Sequence, residues 1–244
     1  MILSAKTDKG PVRDSNQDSY DCGSFENGAT WAVVCDGMGG VSGGQIASEL
    51  CVEKVSSAIK RGFRKNITVK GIKNLLESAI SAANSVIFDE SLKNTELKGM
   101  GTTVVAVIIN NGVAVIAHVG DSRAYCINDR ITPLTKDHSL VQLMIDTGKI
   151  TAEEAKTHPD KNIITRAVGI QNFVDTEIDI ADVAESDKIL ICTDGLCGIV
   201  EDEDILEIVK KYGDSSAEKL VEASVECGSR DNITAVLIDG FQGE

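Results

Sequence analysis

Residues 102–134 decide the fold and read TTVVAVIINNGVAVIAHVGDSRAYCINDRITPL. Apolar runs alternate here with turn residues, and the runs are 102–109, 113–119, 123–127 and 130–134. Asn110-Asn111-Gly112 lies between the first two runs and is a strong hairpin signal, while Asn128-Asp129 separates the last two. The stretch therefore predicts an antiparallel meander of four strands.

Strand and helix patterns alternate on both sides of this stretch. Further strands are predicted at 2–6, 18–24, 30–36, 174–180, 187–192 and 233–238. Helices with one apolar stripe are predicted at 43–60, 70–93, 203–212 and 216–227. Strands grouped between paired helices, with hairpin turns, indicate an α+β fold with an antiparallel sheet core.

The segment 137–172 is polar and interrupts the strand pattern. Ser139-x-x-Gln142 and Thr151-x-x-Glu154 are capping boxes, as is Ser215-x-x-Glu218 further along the chain, and the first two predict short helices in the segment. Such an excursion from a sheet is often a lid or flap over a site. An ordinary surface insertion fits the same pattern, and both interpretations stay open.

Composition limits the class of protein. A chain of 244 residues, 42% of them hydrophobic, is long enough for one substantial core, so residues 1–244 are interpreted as a single domain and a monomer. The net charge of −14 argues against nucleic acid or an anionic membrane as the main partner. Seven cysteines without a Cys-x-x-Cys pair and the lack of a long apolar run indicate a soluble, cytoplasmic protein.

Four aspartates are each placed by, or just before, an apolar run. They are Asp36, Asp121, Asp194 and Asp231. Two carboxylates ~4 Å apart repel by about 4 kcal/mol at an effective dielectric near 20, and hard divalent cations relieve such repulsion. The set predicts a site for several metal ions bound through oxygen. The alternative is that Asp-Gly marks ordinary turns in a chain with 38 acidic residues.

Two glycines and an arginine extend this prediction. Gly37 and Gly195 follow Asp36 and Asp194, and a glycine lets the backbone carbonyl approach an ion closely. Two ions ~3.5–4 Å apart activate a shared water and polarise a phosphoryl oxygen. Arg13 precedes a strand and is a candidate for two-point phosphate binding, although an exposed arginine without a function has the same pattern.

Eight motifs in order along the chain identify a family. They are RDSNQD (13–18), DGMGG (36–40), GMGTT (99–103), HVGDSR (118–123), LTKDH (134–138), ITRAVG (164–169), TDGL (193–196) and RDNIT (230–234). With them the chain resembles the metal-dependent serine/threonine protein phosphatases of the PP2C (PPM) family, in their bacterial form. Each motif is weak alone, whereas their order over residues 13–234 is specific.

The resemblance implies a fold and a reaction. Two central antiparallel sheets would form a sandwich between pairs of antiparallel helices, in α-β-β-α layers. Phosphoserine and phosphothreonine in proteins would be hydrolysed by water activated between two Mn²⁺ or Mg²⁺ ions. Phosphorylated proteins would be the partners, among them a Ser/Thr kinase that the enzyme opposes.

The resemblance also implies residue roles. Asp36 would bridge two metal ions, the Gly37 carbonyl would complete one, and Asp194 with Asp231 would hold the other. Asp121 would support a third, weaker ion together with Asp194. Arg13 would bind the substrate phosphate, and Asp18 would orient a water of the metal centre. Eukaryotic members carry a histidine where Met38 stands, so the general acid is not identified.

Two other functions fit parts of the sequence. Gly40-Val41-Ser42-Gly43-Gly44 matches the Gly-x-Ser-x-Gly elbow of serine hydrolases, but Ser42-x-x-Gln45 is also a capping box and predicts that Ser42 is a helix N-cap. A pseudophosphatase that only binds phosphoproteins would have lost a metal aspartate, and none is lost. His118 is predicted to pack in the core, whereas His138 is close enough in the pattern to reach the site.

Overall fold

Strands buried on both faces form the centre of the molecule. The computed structural model describes residues 2–240, and its strands are β1 (Ile2–Asp8), β2 (Asp18–Ser24), β3 (Thr30–Met38), β4 (Gly101–Thr102), β5 (Val104–Asn110), β6 (Val113–Val119), β7 (Arg123–Ile127), β8 (Ile131–Pro133), β9 (Glu177–Asp182), β10 (Lys188–Cys192) and β11 (Ile233–Asp239). They form two antiparallel sheets, one in the order β1-β11-β10-β7-β8 and the other in the order β2-β3-β5-β6-β9, with β4 paired to β3.

Two pairs of helices cover the outer faces of the two sheets. The helices are α1 (Gly40–Gly62), α2 (Val69–Lys93), α3 (Leu140–Asp146), α4 (Ala152–Lys156), α5 (Asp194–Cys197), α6 (Asp202–Tyr212) and α7 (Ser216–Glu226). Helices α1 and α2 cover one sheet, and α6 and α7 cover the other. None of those in the described residues is both long and apolar enough to cross a membrane.

Alternate residues of a central strand pack against different layers. In β3, Ala32 and Val34 lie in the core between the two sheets, whereas Val33 and Cys35 pack with α1 and α2. In β10 of the other sheet, side chains also alternate between the core that lies between the two sheets and the core formed with α6 and α7. Burying each aliphatic side chain is worth about 1.5–3 kcal/mol, so both faces stabilise the sheets. The predicted α+β sandwich with α-β-β-α layers is confirmed.

The predicted four-stranded meander at 102–134 is wrong. β5 and β6 form the expected hairpin, whose turn residues Asn111 and Gly112 have φ of 49° and 71°. β7, however, pairs with β8 and β10 in the other sheet. The chain crosses between sheets at Gly120–Ser122. Turn residues indicate where a strand ends, but the strand that pairs with the next one is decided by packing.

The segment between β8 and β9 contains the two predicted short helices. The capping box of Thr151 and Glu154 forms at α4, and the Ser139 hydroxyl caps α3 by accepting from the Gln142 N–H. The predicted strand at 174–180 begins only at Glu177. The capping box predicted at Ser215 does not form, because residues 213–215 already make a 3-10 turn ahead of α7.

Candidate metal centre

Two aspartates meet where β2 and β3 pair. The register places Asp18 opposite Asp36, and β3 continues to Met38, two residues beyond the predicted end of the strand. Gly37 lies under the start of α1, where an added Cβ would be 2.0 Å from the Gly44 carbonyl oxygen. Only glycine fits at residue 37, so the backbone after Asp36 is fixed tightly.

The other three aspartates lie at strand ends of the second sheet. Asp194 starts α5 directly after β10, Asp231 precedes β11, and Asp121 lies at the crossing from β6 to β7. Because β10 is paired with both β7 and β11, these ends are neighbours. Six of the seven predicted site residues line one cleft of about 610 Å³: Arg13, Asp36, Gly37, Asp121, Asp194 and Asp231. Asp18 is buried beside them.

The carboxyl groups of this centre are held close together against their repulsion. Burial raises the pKa of Asp36 well above its ordinary value, and the charges of Asp18 and Asp194 add to that effect. Burial and the charge of Asp194 raise the pKa of Asp121 to about 7. The pKa of Asp194 is raised by burial and by the charge of Asp231, although a hydrogen bond with Asp36 opposes the shift. A bound cation would favour the charged carboxylates and so oppose these shifts.

Unpartnered oxygens test whether the residues suit a metal ion. Asp18 Oδ2 accepts from the hydroxyls of Thr234 at 2.7 Å and Thr193 at 2.9 Å, yet Asp18 Oδ1 is buried and has no partner in the described residues. Asp194 Oδ1 is likewise buried and has no hydrogen-bond partner in the described residues. A buried polar atom without a partner costs about 1–3 kcal/mol. Carboxylate oxygens are the ligands that Mg²⁺ and Mn²⁺ prefer, so the residues fit such ions.

Arg13 contacts this centre through Asp231. Its Nη2 atom donates to Asp231 Oδ2 at 2.6 Å, and both side chains are partly exposed to the cleft. This hydrogen bond is the largest cause that raises the pKa of Arg13. An exposed ion pair contributes little to stability, so the contact leaves the guanidinium available to a ligand.

Comparison with known proteins decides the family. The family model described as protein phosphatase 2C matches residues 12–236. The serine/threonine phosphatase Stp of Listeria innocua is 38% identical over 98% of this chain and 96% of its own. The chain belongs to the protein phosphatase 2C family. The predictions of this family and of a metal-dependent serine/threonine phosphatase are confirmed.

Solved structures agree with this assignment. Stp1 from Staphylococcus aureus superimposes with a TM-score of 0.92 at 35% identity, over 100% of this chain and 96% of that one. The catalytic domain of PstP, in complex with two manganese ions, has a TM-score of 0.85 at 32% identity, over 98% of each chain. The binding of two manganese ions is a property of that PstP structure.

Several residues of the phosphatase site were not predicted. Thr193 and Thr234 hold Asp18, as described above. The Thr103 hydroxyl accepts from the Asp36 N–H at 2.9 Å and bonds the Ser122 hydroxyl at 2.8 Å, so it links the strand ends that carry Asp36 and Asp121. These threonines belong to the family motifs, but their place in a motif does not indicate which aspartate they hold.

Asn232 is a further residue that was not predicted. Its side chain accepts from the Gln17 N–H at 2.8 Å and donates to the carbonyls of Lys9 and Ser15 at 2.8 and 2.9 Å. It therefore fastens the loop that carries Arg13 to the start of β11. Its position directly after Asp231 was the one signal in the sequence.

The serine hydrolase alternative has no support in the phosphatase fold. α1 begins at Gly40 with Gly39 as N-cap, so the prediction that Ser42 is the N-cap is wrong and Ser42 lies exposed within the first turn. Gly39 has a φ of 118°, which a glycine adopts and a serine does not. None of the hydrogen bonds described for the three histidines involves Ser42.

A second group of potential metal ligands lies outside this cleft. His118, His138 and Glu177 have ligand atoms within 4.8 Å of one another. The Gly120 N–H donates to Nδ1 of His138, so the proton of the neutral ring is on Nε2, which faces Glu177 at 3.0 Å. The guanidinium of Arg166 is 3.3 Å from the same Nε2. A protonated ring nitrogen beside a guanidinium disfavours a cation at this group.

Proposed function

We propose that this phosphatase hydrolyses phosphoserine and phosphothreonine in proteins at the aspartate cleft. The observation that carries the proposal is a cluster of carboxyl groups in which one buried oxygen of Asp18 and one of Asp194 have no hydrogen-bond partner among the residues that the structure describes. When bound, two Mn²⁺ or Mg²⁺ ions supply an activated water and draw charge from the phosphoryl oxygens. The residues of the chain hold the ions, orient the water and bind the phosphate.

The aspartates divide the work of holding metal. Asp36 would bridge both ions, and the Gly37 carbonyl would complete the ligands of one. Asp194 and Asp231, at the ends of neighbouring strands, would hold the other ion. Asp121, together with Asp194, would support a third and weaker ion. Burial, together with the charges of neighbouring carboxylates, raises the pKa of Asp36 and of Asp194, which supports this assignment.

Arg13 binds the phosphate of the substrate. Its planar guanidinium lies on the cleft and matches phosphate with two parallel hydrogen bonds. Substrate phosphate and Asp231 then compete for the same group. With metal ions held by Asp231, that carboxylate would hold Arg13 less strongly, and the guanidinium would be available to the phosphate.

Asp18 orients water from beneath the cleft. Two threonine hydroxyls fix its Oδ2, and Oδ1 is left without a partner in the described residues. Burial raises the pKa of Asp18 to about 7, although the hydrogen bonds from Thr234 and Thr193 oppose the shift. A carboxyl fixed at one oxygen is suited to hold a water in a defined direction.

Residues 137–172 form a flap in this proposal. Asn162 and Ile164 of the segment line the cleft together with Asp121, which supports a role in substrate access. We further propose that residues 1–244 form a single phosphatase domain, although Met1 and residues 241–244 lie outside the described part of the chain.

The partners follow from the reaction. We propose phosphorylated proteins as substrates, including a Ser/Thr kinase that the enzyme opposes in signalling. Relatives named serine/threonine phosphatases support the substrate class. We also propose a cytoplasmic monomer without nucleic-acid or membrane partners, in line with seven free cysteines and a net charge of −14.

Hydrolysis of a phosphothreonine peptide tests the proposed reaction. Turnover is expected with Mn²⁺ or Mg²⁺ and is expected to vanish with EDTA. In ¹⁸O-water, a single turnover should place the label in the released phosphate, because water attacks phosphorus directly. A trapped phosphorylated residue of the enzyme, or peptide binding without any turnover, would contradict the proposal.

A further inference from the structure

Asp121 lies in a three-residue crossing between the two sheets. β6 ends at Val119, β7 begins at Arg123, and no helix or strand holds the residues between them. Gly120 has a φ of 109°, and a Cβ there would be 2.6 Å from Thr103 Cγ2. The direction of the Asp121 carboxylate therefore depends on what holds the Gly120 backbone.

His138 holds Gly120 by both of its backbone groups. The His138 N–H donates to the Gly120 carbonyl at 2.9 Å, and the Gly120 N–H donates to the His138 ring at Nδ1, at 3.1 Å. The pair of hydrogen bonds resembles a β-bridge between two backbones, except that the Nδ1 atom of His138 takes the place of a backbone carbonyl as acceptor. His138 is buried, so water does not compete for the Gly120 N–H.

The surroundings of His138 keep Nδ1 free of a proton. Nε2 lies 3.0 Å from Glu177 Oε2, to which its hydrogen is donated. A carboxylate on one ring nitrogen fixes the tautomer and so defines the other nitrogen as an acceptor. Burial also lowers the pKa of His138, which keeps the ring neutral.

His118 fixes the plane of the His138 ring. The two rings stack with centroids 4.7 Å apart and an angle of 14° between their planes. His118 in turn donates from Nε2 to the Lys136 carbonyl at 3.0 Å. The His138 carbonyl accepts from the Thr165 N–H at 2.7 Å, which joins the same residue to the segment 137–172.

We propose that His138 is a positioning residue for Asp121. Its neutral ring, with the tautomer set by Glu177, fixes the Gly120 amide and thereby aims the Asp121 carboxylate into the metal cleft. This inference rests on the proposed function, since it concerns the weaker metal site that Asp121 would support.

A matched pair of variants tests the proposal. In H138N the Oδ1 atom replaces the Nδ1 acceptor, whereas H138L has nearly the same size and no acceptor. Turnover of p-nitrophenyl phosphate and calorimetric Mn²⁺ binding are measured for both variants, the wild type and D121N. We expect H138L to lose about 10–100-fold in kcat, as is typical for residues that orient metal ligands. It should also lose the weakest Mn²⁺ site, as D121N does, and keep the other two with an unchanged KM.

The outcomes separate positioning from stability. H138N should retain kcat within a few-fold of the wild type. If the His138 ring only filled space in the fold, H138N would lose as much kcat as H138L. Equal loss in both variants, or equal retention in both, overturns the proposal. A wild type without Mn²⁺-dependent turnover contradicts the proposed function instead, whereas an active wild type with an active H138L contradicts only the role of His138.

Spectroscopy of the wild type decides the question if H138L does not fold. Long-range ¹⁵N correlations report which ring nitrogen of His138 carries the proton, and amide exchange reports protection of Gly120. A proton on Nε2 with a protected Gly120 amide supports the proposal. A proton on Nδ1, an unprotected amide, or a shift of the ring signals on addition of stoichiometric Zn²⁺ overturns it.

Discussion

The aspartate centre and the His118–His138–Glu177 group differ in how their polar atoms are satisfied. The aspartates carry like charges, and two of their buried oxygens have no partner in the described residues. In the histidine group, both ring nitrogens of His138 and one of His118 have hydrogen-bond partners. Only Nδ1 of His118 lacks a hydrogen-bond partner within residues 2–240. Like charges without hydrogen-bond partners indicate a site for a cation. A group whose polar atoms nearly all have hydrogen-bond partners indicates instead a structural support for such a site.

The largest effect is expected from removing a charge of the aspartate centre. D36N, D194N and D231N should each lose at least about 10³-fold in turnover, because the loss of several kcal/mol of metal-assisted stabilisation corresponds to such a factor. Metal binding by calorimetry and peptide turnover at saturating Mn²⁺ are the measurements. D179N removes a carboxylate that lies 3.8 Å from His118 and serves as the matched control, with turnover close to that of the wild type. Near-normal turnover in any of the first three variants would exclude that residue as a ligand.

The two groups should also differ in the sign of their pH dependence. Asp18 has a pKa of about 7 in the fold against 3.8 in the unfolded chain, so the folded protein keeps a proton that the unfolded chain releases. Its contribution is present below pH about 4, is lost as the pH rises through 7, and amounts to as much as ~4 kcal/mol. His138 has a lowered pKa, so its contribution increases with pH.

Urea unfolding in EDTA at pH 5 and pH 7.5 measures this difference. D18N should show a smaller decrease in stability between the two pH values than the wild type, because only the contributions of Asp36, Asp121 and Asp194 remain. An identical pH dependence in D18N and wild type would mean that Asp18 does not carry the buried proton. Added Mn²⁺ should restore stability to the wild type at pH 7.5, because it binds only the folded protein.

An intermediate effect is expected at Asp121, where the two groups meet. D121A should keep two metal ions and lose about 10–100-fold in turnover, the range typical of supporting residues at metal sites. If the segment 137–172 acts as a flap, variants in it should change turnover of a phosphoprotein more than that of p-nitrophenyl phosphate. Calorimetry and the two assays measure this, and unchanged stoichiometry with unchanged turnover on both substrates would contradict a metal role for Asp121.

The smallest effect is expected at Ser42, outside both groups. Since Ser42 is exposed in α1 and is not its N-cap, S42A should change the free energy of unfolding by at most about 0.5 kcal/mol. Turnover should equal that of the wild type. Inactivity of a folded S42A protein would restore the serine hydrolase alternative.

The sequence predicted the main elements of the fold well and their partners less well. The hairpin at Asn111-Gly112 and the stripes of the long helices follow from local rules of turn geometry and periodicity. For residues 120–122 the sequence predicts a turn within a meander, because a glycine and polar residues after an apolar run are typical both of a turn and of a crossing between sheets. The sheet that β7 joins is set by its pairing with β10, which lies more than 60 residues further along the chain.

The sequence by itself determined that each of four aspartates would lie at an end of an apolar run, because buried strands are visible in the sequence as runs of apolar residues. Only the tertiary structure decided how those carboxyl groups are satisfied. Thr193 and Thr234 reach Asp18 across 175 and 216 residues, and His138 reaches Gly120 across 18. Hydrogen-bond partners so distant are chosen when the sheets pack together, and the residue types alone do not determine that packing.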